Sequence, residues 1–94
     1  TDFKYKGIDS KILLKEVIVL ITAKGYKISN IDSTICLQTP KISQYIPEMK
    51  KVLASCMNID IDLLSIKATT TEKLGFEGRQ EGVSAYATVL INKF

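Results

Sequence analysis

Between Lys67 and Gly82 the chain reads KATTTEKLGFEGRQEG, gathering three threonines, three of its five glycines and its only arginine. Few of these residues can fill a core. Thr69, Thr70 and Thr71 offer hydroxyls beside backbone N–H groups. If Thr71 or Glu72 opens a short helical turn, the free N–H groups converge on one point and make an anion site. Glu72 would repel a bare phosphate, but it fits if a divalent cation lies between the two. Gly75 and Gly78 let the chain turn tightly and approach a ligand. A plainer reading needs no ligand, because Thr69-x-x-Glu72 matches a capping box. The two readings are compatible, since a capped turn can also hold an anion.

A second turn, Thr39-Pro40-Lys41, has the same double character. It either ends a strand on the way to a helix, or forms a rigid bend that presents backbone groups and one cation to a ligand. Both turns fall at the ends of predicted strands. Were those strands neighbours, the turns would open on one site.

The elements that must position these turns follow from periodicity. Asp9 and Ser10 can cap a helix over residues 10–24, whose Leu13, Leu14, Val17, Ile18, Leu20 and Ile21 form one broad face for burial. Gly25 is its natural stop. YKISNIDSTICLQ reads as a strand with Ile31, Ile35 and Leu37 on one face. Tyr26 and Ile28 are out of phase with that face, which predicts a bulge near Ser29–Asn30. A second helix starts near Gln44 with Pro47 in its first turn. Its Met49, Val52, Leu53 and Cys56 form the expected inner stripe. DLLSIKAT and GVSAYATVLINK read as strands, the latter with Val83, Ala85, Ala87, Val89 and Ile91 on one face. The fold class is therefore α+β, a small sheet with helices packed on one face. The pattern anticipates one or more further strands before Thr1, and the opening TDFKYKGIDS has no signal-peptide character.

At 94 residues, 46% of them hydrophobic, residues 1–94 suit a single domain with a modest core that partners often complete. The net charge is +3, carried by lysines with a single arginine, which argues against a nucleic-acid surface. No apolar run approaches the ~18 residues of a membrane span. Cys36 and Cys56 stand apart with no CxxC, as buried thiols of a reducing compartment do. The chain has no histidine, so a zinc site of its own is not expected.

Taken in order, TD with FKYKGIDSKILL, GYKISNIDSTI, QTPKISQYIPEM and KATTTEKLGFEGRQEG resemble the 2-C-methyl-D-erythritol 2,4-cyclodiphosphate synthase family along essentially the whole chain. The resemblance implies the C-terminal part of such an enzyme. Its substrate is a cytidine diphosphate ester whose erythritol phosphate attacks the β-phosphorus and expels CMP, a step of non-mevalonate isoprenoid synthesis. It implies a homotrimer with active sites between subunits, one zinc ion, and one magnesium or manganese ion. By position, Leu37, Gln38, Thr39, Pro40, Lys41, Ile42 and Ser43 match the cytidine pocket. Ala68, Thr69, Thr70 and Thr71 match nucleotide and phosphate contacts, Thr70 being the transition-state stabiliser. Glu72 matches the ligand of the second metal. Thr1 and Asp2 match the end of a substrate loop, and Phe76 and Arg79 match further binding positions. Arg79 and Glu81 would lie near a threefold-axis cavity that can hold an isoprenoid diphosphate.

Three departures stand out. The family's zinc ligands, an Asp-x-His pair and another His, would precede Thr1, as would most of the erythritol-binding segment, so the visible chain alone is expected to be inactive. GRQEG replaces the more usual GRGEG, placing bulky Gln80 where glycine is common. Leu37 and Ser43 also differ from common family residues. Location would be bacterial cytoplasm or plastid, with no nucleic-acid or membrane partner. Composition and periodicity alone fit a second reading equally well, a non-catalytic small-molecule-binding or trimer-forming α+β module. The threonine–glycine loop separates the two.

Overall fold

The computed structural model describes residues 9–94. Helix α1 spans Ser10–Ala23 and begins where the Lys11 N–H donates to the Asp9 carboxylate at 2.7 Å. That hydrogen bond satisfies one of the free donors of the first turn. It also holds the Asp9 carboxyl below its ordinary range. The helix ends before Gly25, which takes the left-handed φ of +88° that a side chain would resist.

Strand β1 (Tyr26–Cys36) follows at once. It is central in a three-stranded sheet of order β2-β1-β3. Strand β2 (Leu64–Thr69) runs parallel to it, and β3 (Ser84–Lys93) runs antiparallel. The expected bulge is present, as a register shift between Ile28 and Asn30 against β3. Parallel strands need a long crossover. Here a 3-10 turn at Ser43–Tyr45 leads into helix α2 (Ile46–Met57), with Pro47 in its first turn as expected. Asn58, at φ +54°, stops the helix in the left-handed region.

The core lies on one face of the sheet. Ile31, Met57, Leu64 and Ile66 are buried there, with Leu14, Ile18, Ile35, Met49 and Leu53 packed around them. The apolar stripe of α2 is rotated from the expected one. Ala54 and Met57 are buried, whereas Val52 is 39% exposed. A stripe of this width holds either neighbour of Leu53, and the β2 contact selects the Ala54 side. The broad face of α1 is not buried as expected either. No residue of that helix is fully buried, and Val17 is 44% exposed. It borders an open apolar groove of about 410 Å³, lined by Leu14, Val17 and Ile21 on one side and Ala87, Val89 and Ile91 on the other. The opposite face of the sheet carries an ion pair between Lys67 and Asp32 at 2.6 Å. Thr1 and Asp2 lie outside the described residues.

Candidate functional site

Parallel pairing sets the C-terminal ends of β1 and β2 side by side. Ile35 pairs with Ala68 and Cys36 with Thr69, and the Leu37 N–H extends the ladder to the Thr69 carbonyl at 3.0 Å. Where parallel strands end together, the backbone groups beyond them open into a crevice, the common place for a ligand in such sheets. A cavity of about 110 Å³ lies there, lined by Leu37, Lys41, Ile42, Ser43, Ala68, Thr69 and Thr70. The two turns singled out from sequence therefore meet at one hollow, with Lys41 on one lip and Thr69 and Thr70 on the other.

The three threonines are used differently. Thr70 lines the cavity, and its Oγ1 accepts from the Glu72 N–H at 3.3 Å. A hydroxyl that accepts this way keeps its own O–H to donate to a ligand oxygen. The Thr69 hydroxyl makes a long contact of 3.4 Å to the Thr70 carbonyl. Thr71 is outside the lining, and its hydroxyl donates to the Leu74 carbonyl. That bond closes a turn in which Glu72 and Lys73 both take left-handed φ values, +56° and +67°.

This turn replaces the expected capping box. Thr69 makes no hydrogen bond to Glu72 among the described residues, and no helix opens at Thr71 or Glu72. The helical turn α3 starts three residues later, at Gly75–Gly78, and its N-cap is Leu74. Two consecutive left-handed residues cannot belong to a helix start, so the N–H groups of the loop are presented by a reversal of the chain instead.

Gly78 is the residue that lets this turn fold down onto α3. A Cβ there would overlap the Lys73 carbonyl carbon and lie 2.7 Å from Thr71 Oγ1. The Phe76 ring covers Gly82, and Arg79 pairs with Glu81, so both side chains have partners within the loop itself. Glu77 accepts from the Ser84 hydroxyl, which with its own backbone N–H and nearby Arg79 holds its carboxyl below the usual range.

Gln38, Thr39 and Pro40 lie beside the hollow rather than in its lining. Thr39-Pro40 is a cis peptide. Gln38 Oε1 accepts from the Lys73 N–H at 3.2 Å, and the Thr39 hydroxyl donates to Gln80 Oε1 at 2.8 Å. These two links between the loops are absent from the sequence reading. Their partners stand 35 and 41 residues apart, and no local pattern signals them.

A model of the YgbB family matches residues 1–92. The chain belongs to that family. One relative, from Bacteroides fragilis (strain YCH46), is named 2-C-methyl-D-erythritol 2,4-cyclodiphosphate synthase. It is 67% identical over 90 residues, covering 96% of this chain and 57% of the relative. One of the same name from Porphyromonas gingivalis (strain ATCC BAA-308 / W83) is 53% identical over 91 residues, covering 97% of this chain and 56% of its own length. The chain thus spans somewhat over half the length of the curated relatives it matches.

Solved structures agree on the fold of this YgbB-family chain. One titled IspF (Plasmodium falciparum) CDP complex superposes with a TM-score of 0.87 at 34% identity, covering 90% of this chain and 55% of that one. The bifunctional IspDF from Campylobacter jejuni gives 0.94 at 36% identity, covering 100% of this chain and 26% of its own.

The donor set discriminates between metals. Among the described residues, no three His, Cys, Asp or Glu side chains gather as metal donors. Magnesium and manganese suit one or two carboxylates completed by phosphate oxygens and water. Glu72 brings one such carboxylate next to Thr70 through its backbone link; its side chain is exposed and lies outside the cavity lining. Zinc asks for nitrogen or sulfur donors. The chain has no histidine to offer one.

Proposed function

We propose that this chain carries the nucleotide and diphosphate side of a 2-C-methyl-D-erythritol 2,4-cyclodiphosphate synthase, and that residues 1–94 are the C-terminal portion of its single domain. The reaction is an intramolecular phosphoryl transfer. An oxygen of the erythritol 2-phosphate bonds to the β-phosphorus of the cytidine diphosphate ester, and the bond from that phosphorus to CMP breaks. Catalysis of this kind is mainly positioning and charge neutralisation.

The observation that carries the reading is the meeting of Leu37–Ser43 with Ala68–Thr70 around one cavity at the paired strand ends. In this reading Leu37, Ile42 and Ser43 form the wall for the base, while Lys41 offsets phosphate charge. Thr69 and Thr70 face the diphosphate. Thr70, held by the Glu72 N–H, donates its hydroxyl to an oxygen on which charge develops. A magnesium or manganese ion, when bound, neutralises phosphate charge beside the Glu72 carboxylate. Zinc belongs to residues other than these. A homotrimer with sites shared between subunits, and a bacterial cytoplasmic location in keeping with the bacterial relatives, complete the proposal.

Calorimetry with CDP and magnesium tests it. Saturable binding to the chain, lost in Glu72→Ala when magnesium is present, is expected. Binding that ignores both magnesium and Glu72 would point to a small-molecule-binding module without this chemistry.

A further inference from the structure

We propose that Gln80 is a positioning residue that fixes the Leu37–Ser43 lip of the cavity by acting through Thr39. The proposal rests on the nucleotide-site reading above and adds to it a residue outside the cavity. The lip needs such a fastener. Beyond the Leu37 N–H, residues 38–41 make no backbone–backbone hydrogen bond among the described residues, and the next one is Tyr45 N–H to the Ile42 carbonyl at 2.8 Å. What holds the segment is its two side-chain links, Gln38 to the Lys73 N–H and Thr39 to Gln80.

Gln80 is suited to the task by where its backbone is held. Its N–H donates to the Glu77 carbonyl at 3.1 Å, which anchors it to the end of α3. From there its side chain reaches the Thr39 hydroxyl at 2.8 Å. The position carries φ +62°, a conformation in which glycine is the unstrained choice. Glycine would relax the backbone and lose the link. A glutamine in that conformation is explained by what its side chain holds. Thr39 stands two residues before Lys41 and three before Ile42, so fixing it sets the wall against which a base would rest.

The test is a cycle of variants with two readouts. Backbone amide order parameters of Thr39 and Lys41–Ser43 need no ligand. They are expected near the rigid value of about 0.85 in the native chain and to fall toward about 0.6 in Gln80→Leu and Thr39→Val. Gln80→Glu and Thr39→Ser, which keep an acceptor and a hydroxyl, are expected to retain native values. The double variant T39V/Q80L is expected to match the single ones, because both remove the same bond. CDP affinity with magnesium should fall about threefold to tenfold in Q80L, the scale of one net hydrogen bond. Unchanged order parameters in Q80L, equal loss in Q80E, or additive loss in the double variant would each overturn the proposal. If the order parameters follow the cycle while the native chain binds no CDP, the latch stands and the nucleotide reading fails.

Discussion

Replacing Gly78 by alanine should separate a packing requirement from a conformational one. The added methyl would overlap the Lys73 carbonyl carbon and sit 2.6 Å from Lys73 Cα and 2.7 Å from Thr71 Oγ1. Two of these three atoms are backbone, so no rotamer change relieves the overlap. The turn that carries Glu72 must retreat by about 1 Å before ordinary van der Waals contact returns. Forced overpacking costs about 1–3 kcal/mol. The rigid neighbour places Gly78→Ala near the upper end, about 2–3 kcal/mol, or a shift of about 30-fold to 150-fold toward the unfolded chain. Gly25→Ala is the control. Nothing lies within 4 Å of its new methyl, but φ is +88°, so it carries backbone strain alone, about 1–2 kcal/mol. Urea denaturation measures both stabilities, and calorimetry with CDP and magnesium measures the site. G78A is expected to lose stability and at least tenfold in affinity, G25A stability only. Should G78A remain within about 0.5 kcal/mol of the native chain and bind CDP normally, the claim that the turn rests on Gly78 would be refuted.

Under the proposed function, Thr70→Ala in the full-length protein is expected to lower kcat by about 10²–10³, the loss of one preorganised donor; a change below about threefold in a steady-state assay would reduce Thr70 to a role in the turn. Leu64, 3% exposed in the centre of the core, should cost about 2–5 kcal/mol as Leu64→Ala by denaturant titration. Glu77 has a lowered folded pKa, so its contribution is fully present above the ordinary value of 4.5 and is lost as pH falls through the lowered value. Carboxyl chemical-shift titration should place Glu77 below 4.5 and Ser84→Ala should return it upward, because the Ser84 hydroxyl is the largest cause.

Much of this was legible in the sequence because it is local. The stop at Gly25, the bulge beside Ser29, the entry of Pro47 into α2 and the ends of β1 and β2 each follow from a few adjacent residues. The choice between Val52 and Ala54 as the inner face of α2 depends on which side of Leu53 meets β2, and that is a tertiary matter. The capping-box pattern of Thr69 and Glu72 misled for a related reason. The bond from Thr71 to Leu74, the strand end at Thr69 and the close passage over Gly78 together favour a left-handed reversal over a helix start. Gln38, Thr39 and Gln80 were visible as residue types, but their links join segments that only folding brings together.

The parallel pairing of Cys36 with Thr69 ties the hollow to the register of the whole sheet. Its two lips come from segments joined only through α2, so neither lip can form a partial pocket while the crossover is unmade. A slip of one residue between β1 and β2 would turn the alanine and threonines at the end of β2 to the opposite face. Anything that settles in the hollow must therefore act as a thermodynamic clasp on the entire strand–helix–strand unit, raising the melting temperature in proportion to the logarithm of its concentration.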